Sequence, residues 1–210
     1  MFTRVDHVTL GGTQASFGAL GFLLLRQGEE LLAALENARL CIVPGKEGLL
    51  DIALAGEGTL DLPWLRAVDG EVVQPALHPN GVYKLERVYI AVRDIGSAAA
   101  RYAAALGVPV PKAERGTVIH AEMVPFVFGG AGVTLAQPFA PGVAASALAK
   151  RGEGPFQALF RTKSMDAAAK WLADHGVPPP ARGIRNTGEQ AMLVPPEHAC
   201  GTYIGFVGPA

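Results

Sequence analysis

Twelve residues from the middle of the chain return near its end. The segment SAAARYAAALGV (97–108) aligns without a gap on DAAAKWLADHGV (166–177), with Ala98/Ala167, Ala99/Ala168, Ala100/Ala169, Ala104/Ala173, Gly107/Gly176 and Val108/Val177 identical. Arg101/Lys170 and Tyr102/Trp171 are similar pairs. A segment that recurs in this way marks a supersecondary unit used twice. Each copy reads as a helix with small alanines on one face, started by Asp94 or Ser164 as N-cap and stopped by a glycine suited to the left-handed position.

Each predicted helix follows a short strand. In RVYIAVR, Val88, Ile90 and Val92 alternate with Arg87, Tyr89, Ala91 and Arg93. In QALFRT, Ala158, Phe160 and Thr162 alternate with Gln157, Leu159 and Arg161. Period-two alternation buries one face of each strand beneath its helix. More strand-like sequence follows, TVIHAEMVPFVFGG and GVTLAQP in the first copy, EQAMLVPP and GTYIGFV in the second. The glycine-rich FGGAG (128–132) has neither a following helix nor a lysine, so it reads as a hairpin turn. The unit is β-α-β-β-β, predicted over 84–138 and again over 154–210, with 139–153 (FAPGVAASALAKRGE) as a linker holding a short helix.

Residues 1–83 are less regular. RVDHVTLGG begins like another first strand, barely two helical turns fit after it, and NARLCIVPG and GLLDIALAG are strand candidates. This region reads as a shortened, degenerate module or as two reduced ones. His78, in the turn-rich HPNG, reads as a turn residue. The fold class is α+β, built of paired β-α-β-β-β modules in curved mixed sheets around a cleft.

Charge and cysteine usage narrow the partners. The 210 residues carry 18 basic and 19 acidic side chains, which gives no basic stripe for nucleic acid. No apolar run is long enough to span a bilayer, and MFTRVDHVTLGG is not a secretory leader. Cys41 and Cys200 are too few for a disulfide framework and read as small apolar residues. The expectation is a cytoplasmic protein with a small-molecule ligand.

LERVYIAVRDIGSAAARYAAALGV, KRGEGPFQALFRTKSMDAAAKWLADHGV and the closing VPPEHACGTYIGFV resemble the vicinal oxygen chelate superfamily, which includes glyoxalases, bleomycin-resistance proteins and extradiol dioxygenases. The match is strongest to its methylmalonyl-CoA epimerase-like branch. The resemblance implies a cleft with a divalent metal on one ligand from each first strand and one from each last strand, lyase or isomerase chemistry, and a homodimer. Carried over residue by residue, the first-strand positions fall on Arg87 and on Gln157 or Ala158. The last-strand positions fall on Thr134 or Ala136 and on Gly205. None is a histidine or a carboxylate, so no metal and no other cofactor is expected in this cleft; His7, in VDHVTL, is the exception that could serve one, with Asp51 as a partner.

The altered cleft face, Arg87, Tyr89, Gln157, Leu159, Arg161 and Tyr203, suits a small organic anion. The plainer reading makes both arginines solvated edge-strand residues. His120 and Glu122, placed on one strand face by alternation, form the candidate acid–base pair. His175 reads as a helix-end residue and His198 as part of the closing loop. Catalysis through an enolate-like intermediate, binding without turnover, and metal-dependent chemistry near His7 are the three functional expectations.

Overall fold

The computed structural model describes residues 1–28 and 30–209. The β-α-β-β-β pattern occurs three times. The first unit comprises β1 (Phe2–Gly11), α1 (Gln14–Ala19), β2 (Leu25–Gln27), β3 (Glu30–Ala34) and β4 (Arg39–Val43). Then come two strands without a helix, β5 (Leu49–Gly56) and β6 (Leu65–Val68). The next complete unit is β7 (Val82–Ala91), α2 (Ile95–Leu106), β8 (Glu114–Gly116), β9 (Ala121–Phe128) and β10 (Ala131–Pro138). The linker forms α3 (Val143–Arg151), and the last unit is β11 (Gly154–Thr162), α4 (Met165–Asp174), β12 (Ala181–Ile184), β13 (Gln190–Val194) and β14 (Tyr203–Gly208). The N-terminal region is therefore one complete module with a short helix plus a second reduced to two strands.

Local chemistry explains the boundaries. Asp94 accepts the Ser97 amide at 3.1 Å, and Ser164 accepts that of Ala167 at 3.2 Å, so both caps form as expected. Gly107 ends α2 at φ 68°, a conformation that costs a side-chain-bearing residue more than glycine. α1, only six residues long, is held by a reciprocal capping box between Thr13 and Ser16.

Two sheets result. The N-terminal sheet runs β2-β3-β4-β1-β5-β6 and the C-terminal one β12-β13-β14-β11-β7-β10-β9-β8. In every unit the last strand lies parallel beside the first: β4 beside β1, β6 beside β5, β10 beside β7, β14 beside β11. Units pair through antiparallel first strands, β1 with β5 and β7 with β11. One apolar cluster joins an inner face of each sheet to α1, α2 and α4. Phe22 from the N-terminal region meets Phe160 edge-on at 5.0 Å, and the Trp171 indole donates to the Gly18 carbonyl at 3.2 Å.

His78 belongs to this shared interior. The HPNG segment does turn, at Gly81 with φ 71°, yet the imidazole is buried. Its Nδ1 accepts the Leu23 amide at 3.0 Å and its Nε2 donates to the Ala34 carbonyl at 3.1 Å. Burial pushes its pKa down, partly countered by the Ala34 bond, so the ring is a neutral staple between two chain segments. Among the described residues no helix is long and apolar enough to cross a membrane.

Candidate functional site

Each sheet has a second face, opposite the shared core, and these two faces carry the positions that the resemblance assigns to clefts. In the C-terminal sheet Tyr89, Leu159 and Tyr203 line that face with Phe156, Ala136 and Val207. Linker helix α3 lies across one end, its Ala144 and Ala147 buried against them. Burial pushes up the pKa of both Tyr89 and Tyr203, so each phenol stays protonated. The other end is polar. Thr134 is fully buried, Gln157 is 3% exposed, and the Arg87 side chain is 17% exposed. Thr134 Oγ1, Gln157 Oε1 and Arg87 Nε are buried without a hydrogen-bond partner among the described residues. Glu114 lies 3.7 Å from the Arg87 guanidinium, a loose pairing with a half-exposed carboxylate.

Arg161 shares the face but is not free for a ligand. It binds Glu86 at 2.5 Å and also Glu189, while Arg185 meets the same two carboxylates at 2.7 and 3.0 Å. Two arginines and two glutamates close on one another at the cleft edge.

The expected pairing of His120 with Glu122 is corrected by the backbone. β9 starts at Ala121, and His120 sits before it in a turn at φ 52°, its Nδ1 on the Pro141 carbonyl at 2.7 Å. Ala121 and Met123 face the cleft cluster while Val124 and Phe126 face the shared core, so Glu122 points away from the cleft by alternation. His175 stacks on Trp171 at 3.9 Å, and His198 lies exposed in a short 3-10 turn.

Strand register shows that the N-terminal sheet repeats the arrangement. Antiparallel pairing sets Arg87 opposite Leu159 and Gln157 opposite Tyr89, and parallel pairing then sets Thr134 beside Tyr89 and Gly205 beside Leu159. This selects Gln157 over Ala158 as the first-strand counterpart of Arg87, and Thr134 over Ala136 as the counterpart of Gly205. In the N-terminal sheet His7 pairs with Ala53 and Asp51 with Thr9, while Cys41 lies beside Thr9 and Arg66 beside Ala53. The four corresponding positions are thus His7, Cys41, Asp51 and Arg66.

Those side chains meet. His7 Nδ1 lies 2.7 Å from Asp6 Oδ2, and its Nε2 contacts the Arg66 guanidinium. Because a guanidinium only donates, Nε2 accepts and Nδ1 carries the proton toward Asp6. Arg66 Nε donates to Asp51 Oδ1 at 3.0 Å, an oxygen that also accepts from Thr9 at 3.0 Å. Beneath them Asp6, fully buried, takes hydrogen bonds from Arg39, from Arg4 at 3.1 Å and from the Glu71 amide at 2.9 Å. Burial alone would raise its carboxyl, but the bonds from His7, Arg39 and Glu71 outweigh that and hold it below the usual carboxylate value. Burial pushes the Cys41 thiol up to about 12, which keeps it protonated and inert as a nucleophile.

The sequence profile of the glyoxalase/bleomycin resistance protein/dioxygenase superfamily matches residues 86–193. The chain belongs to that superfamily. The methylmalonyl-CoA epimerase of Mycobacterium tuberculosis is similar to this superfamily member at 27% identity and a TM-score of 0.55, over 62% of this chain and 90% of that one. A hypothetical protein of Bacillus halodurans C-125 matches at 22% identity and a TM-score of 0.52, over 60% of this chain and 94% of its own. A mutant of 4-hydroxymandelate synthase from Streptomyces coelicolor aligns over 100% of this chain and 93% of that chain, with a TM-score of 0.71 at 12% identity, and shares the fold. No curated protein matches the chain.

The residues at the C-terminal positions do not fit the divalent metal that the resemblance implies. In the C-terminal cleft one position is a permanent cation and none offers an anionic donor. A Cβ on Gly205 would meet Leu159 Cδ1 at 2.6 Å and Gln157 Nε2 at 3.1 Å, so neighbouring side chains fill the place of a ligand there. In the N-terminal cleft the Arg66 guanidinium lies between His7 and Asp51, and among the described residues no three histidine, cysteine or acidic side chains cluster as a metal site. Of this second set only His7 and Asp51 stand out in the sequence. Cys41 reads as apolar, and Arg66 sits on a four-residue strand whose place only the sheet reveals. The acid preceding His7 is the signal that could have exposed Asp6.

Proposed function

We propose that this superfamily member binds a small organic anion in its C-terminal cleft without a metal. Arg87 pairs with the anionic group, Thr134 and Gln157 complete the polar contacts, and Tyr89, Leu159 and Tyr203 supply the apolar walls. One observation carries the reading: three polar groups on neighbouring strands are buried with unused hydrogen-bonding capacity. Leaving a buried donor or acceptor unpaired costs roughly 1–3 kcal/mol, a cost removed by a ligand that offers an oxygen acceptor to Arg87 and Thr134 and a hydroxyl or N–H donor to the Gln157 Oε1.

Binding without turnover is favoured over catalysis. The same donors would stabilise an enolate oxygen, as isomerase or lyase chemistry needs. A proton carrier would be required as well, and the turn at His120 and the outward face of Glu122 weigh against the expected pair. The homodimer expected from the resemblance is not needed to complete a cleft, because both module pairings form within one chain; light scattering distinguishes the two states.

Calorimetric titration with malonate, methylmalonate and inorganic phosphate tests the site. Arg87→Ala is expected to weaken binding of the best of these about tenfold or more, the equivalent of one charge-assisted hydrogen bond. Equal affinity in wild type and Arg87→Ala, or no binding of any of the three, overturns the reading. A stoichiometric metal that survives dialysis overturns its metal-free part.

A further inference from the structure

The N-terminal cleft combines a donor and an acceptor at its open edge, and no role assigned above uses them. Exposure rises outward from the fully buried Asp6 and the nine-tenths buried His7 and Arg39 to Asp51 at 31% and Arg66 at 48%. Asp51 accepts from the Nε of Arg66, and one of the two terminal nitrogens of the same guanidinium rests on His7 Nε2. His7 Nε2 is an acceptor held in place through the Asp6 bond on the opposite side of the ring. Behind them, the buried Nε of Arg39 has no partner among the described residues.

We propose that this cleft is a second ligand site, selective for small 2-hydroxycarboxylates. The ligand carboxylate takes a terminal nitrogen of Arg66, whose planar guanidinium turns as a unit off His7. The hydroxyl, one carbon away, donates to the freed His7 Nε2. A carboxylate alone satisfies only the arginine, and a hydroxyl alone only the histidine, so the pair of contacts sets the ligand class. Thr9, through its bond to Asp51, is a positioning residue for the guanidinium. A plain structural ion network makes the opposite prediction, since it has no use for an external hydroxyl.

The test uses the whole chain and the ring nitrogens of His7, observed by two-dimensional proton–nitrogen NMR while glycolate, acetate or ethanol is added. The free protein is expected to show the Nδ1–H tautomer. Glycolate is expected to shift the Nε2 resonance saturably, with an affinity about tenfold or more above that of acetate, the value of one hydrogen bond to an oriented acceptor. Ethanol is expected to do nothing. Arg66→Gln, at a half-exposed position that leaves the buried network in place, is expected to abolish the response. No shift with glycolate, an equal response to acetate, or a response unchanged in Arg66→Gln overturns the proposal. Because the His7 ring reports the N-terminal cleft alone, failure here is distinguishable from failure of binding at Arg87.

Discussion

Asp6 is the residue on which most of the N-terminal cleft depends. Asp6→Asn keeps the shape but leaves the nine-tenths buried Arg39 with only the half-exposed Glu71 as a charge partner, and is expected to cost about 3 kcal/mol, read from urea unfolding. The pH dependence has a definite sign. Asp6 and, through Arg161 and Thr187, Glu189 are both held below their ordinary values against the upward push of burial. They release protons more readily folded than unfolded, so their stabilisation is complete above the unfolded values of about 4 and fades as pH falls through the lower folded ones. A thermal-denaturation series should therefore show a steep acid limb below about pH 4, and Asp6→Asn should flatten it. At this scale the sequence is a partial guide. Arg87, Gln157 or Ala158, and Gly205 can be placed through the family resemblance, whereas Arg39, Glu71 and Arg66 come from three separate segments and meet His7 or Asp6 only in the folded chain.

At the scale of elements, strands and helices bounded by strong local signals are legible: the capped helices α2 and α4, the alternating β1, β7 and β11, and the Gly129–Gly130 hairpin with φ of 55° and 80°. The misread stretch is Thr117–His120. Its β-branched and apolar residues imitate a strand, but Ile119 buries itself in the cleft cluster from a turn, so apolar character there reports packing and not periodicity. Helix α3 is legible as a helix and illegible as a cover for the cleft, because its Ala144 and Ala147 are small enough to lie close on β7 and β10 without an amphipathic stripe of large residues. Replacing the fully buried Ala144 by Leu is expected to cost about 2 kcal/mol through overpacking, measured by chemical denaturation, and to perturb the NMR signals of Tyr89 and Phe156.

The whole molecule is wider than the region that its epimerase relatives match. The Mycobacterium tuberculosis enzyme aligns over 62% of this chain, and here the C-terminal pair of units shares its core with β1, α1 and Phe22. Calorimetry is thus expected to show one transition for the full chain. The isolated segment 84–210, which exposes Phe160 and Phe206 where Phe22 covers them, is expected to lack a cooperative transition and to bind hydrophobic dyes; two resolved transitions in the full chain would contradict this. The pairing of halves was hidden in the sequence because residues 1–83 carry no helical repeat to align with the later ones. What that region keeps is selective all the same. The second module has neither helix nor middle strands, yet β5 and β6 are the two strands that bring Asp51 and Arg66 to the cleft. The positive charge between His7 and Asp51 is thereby written into the gene: it arrives with the finished chain, in fixed stoichiometry, and no chelator or shortage of metal can take it away.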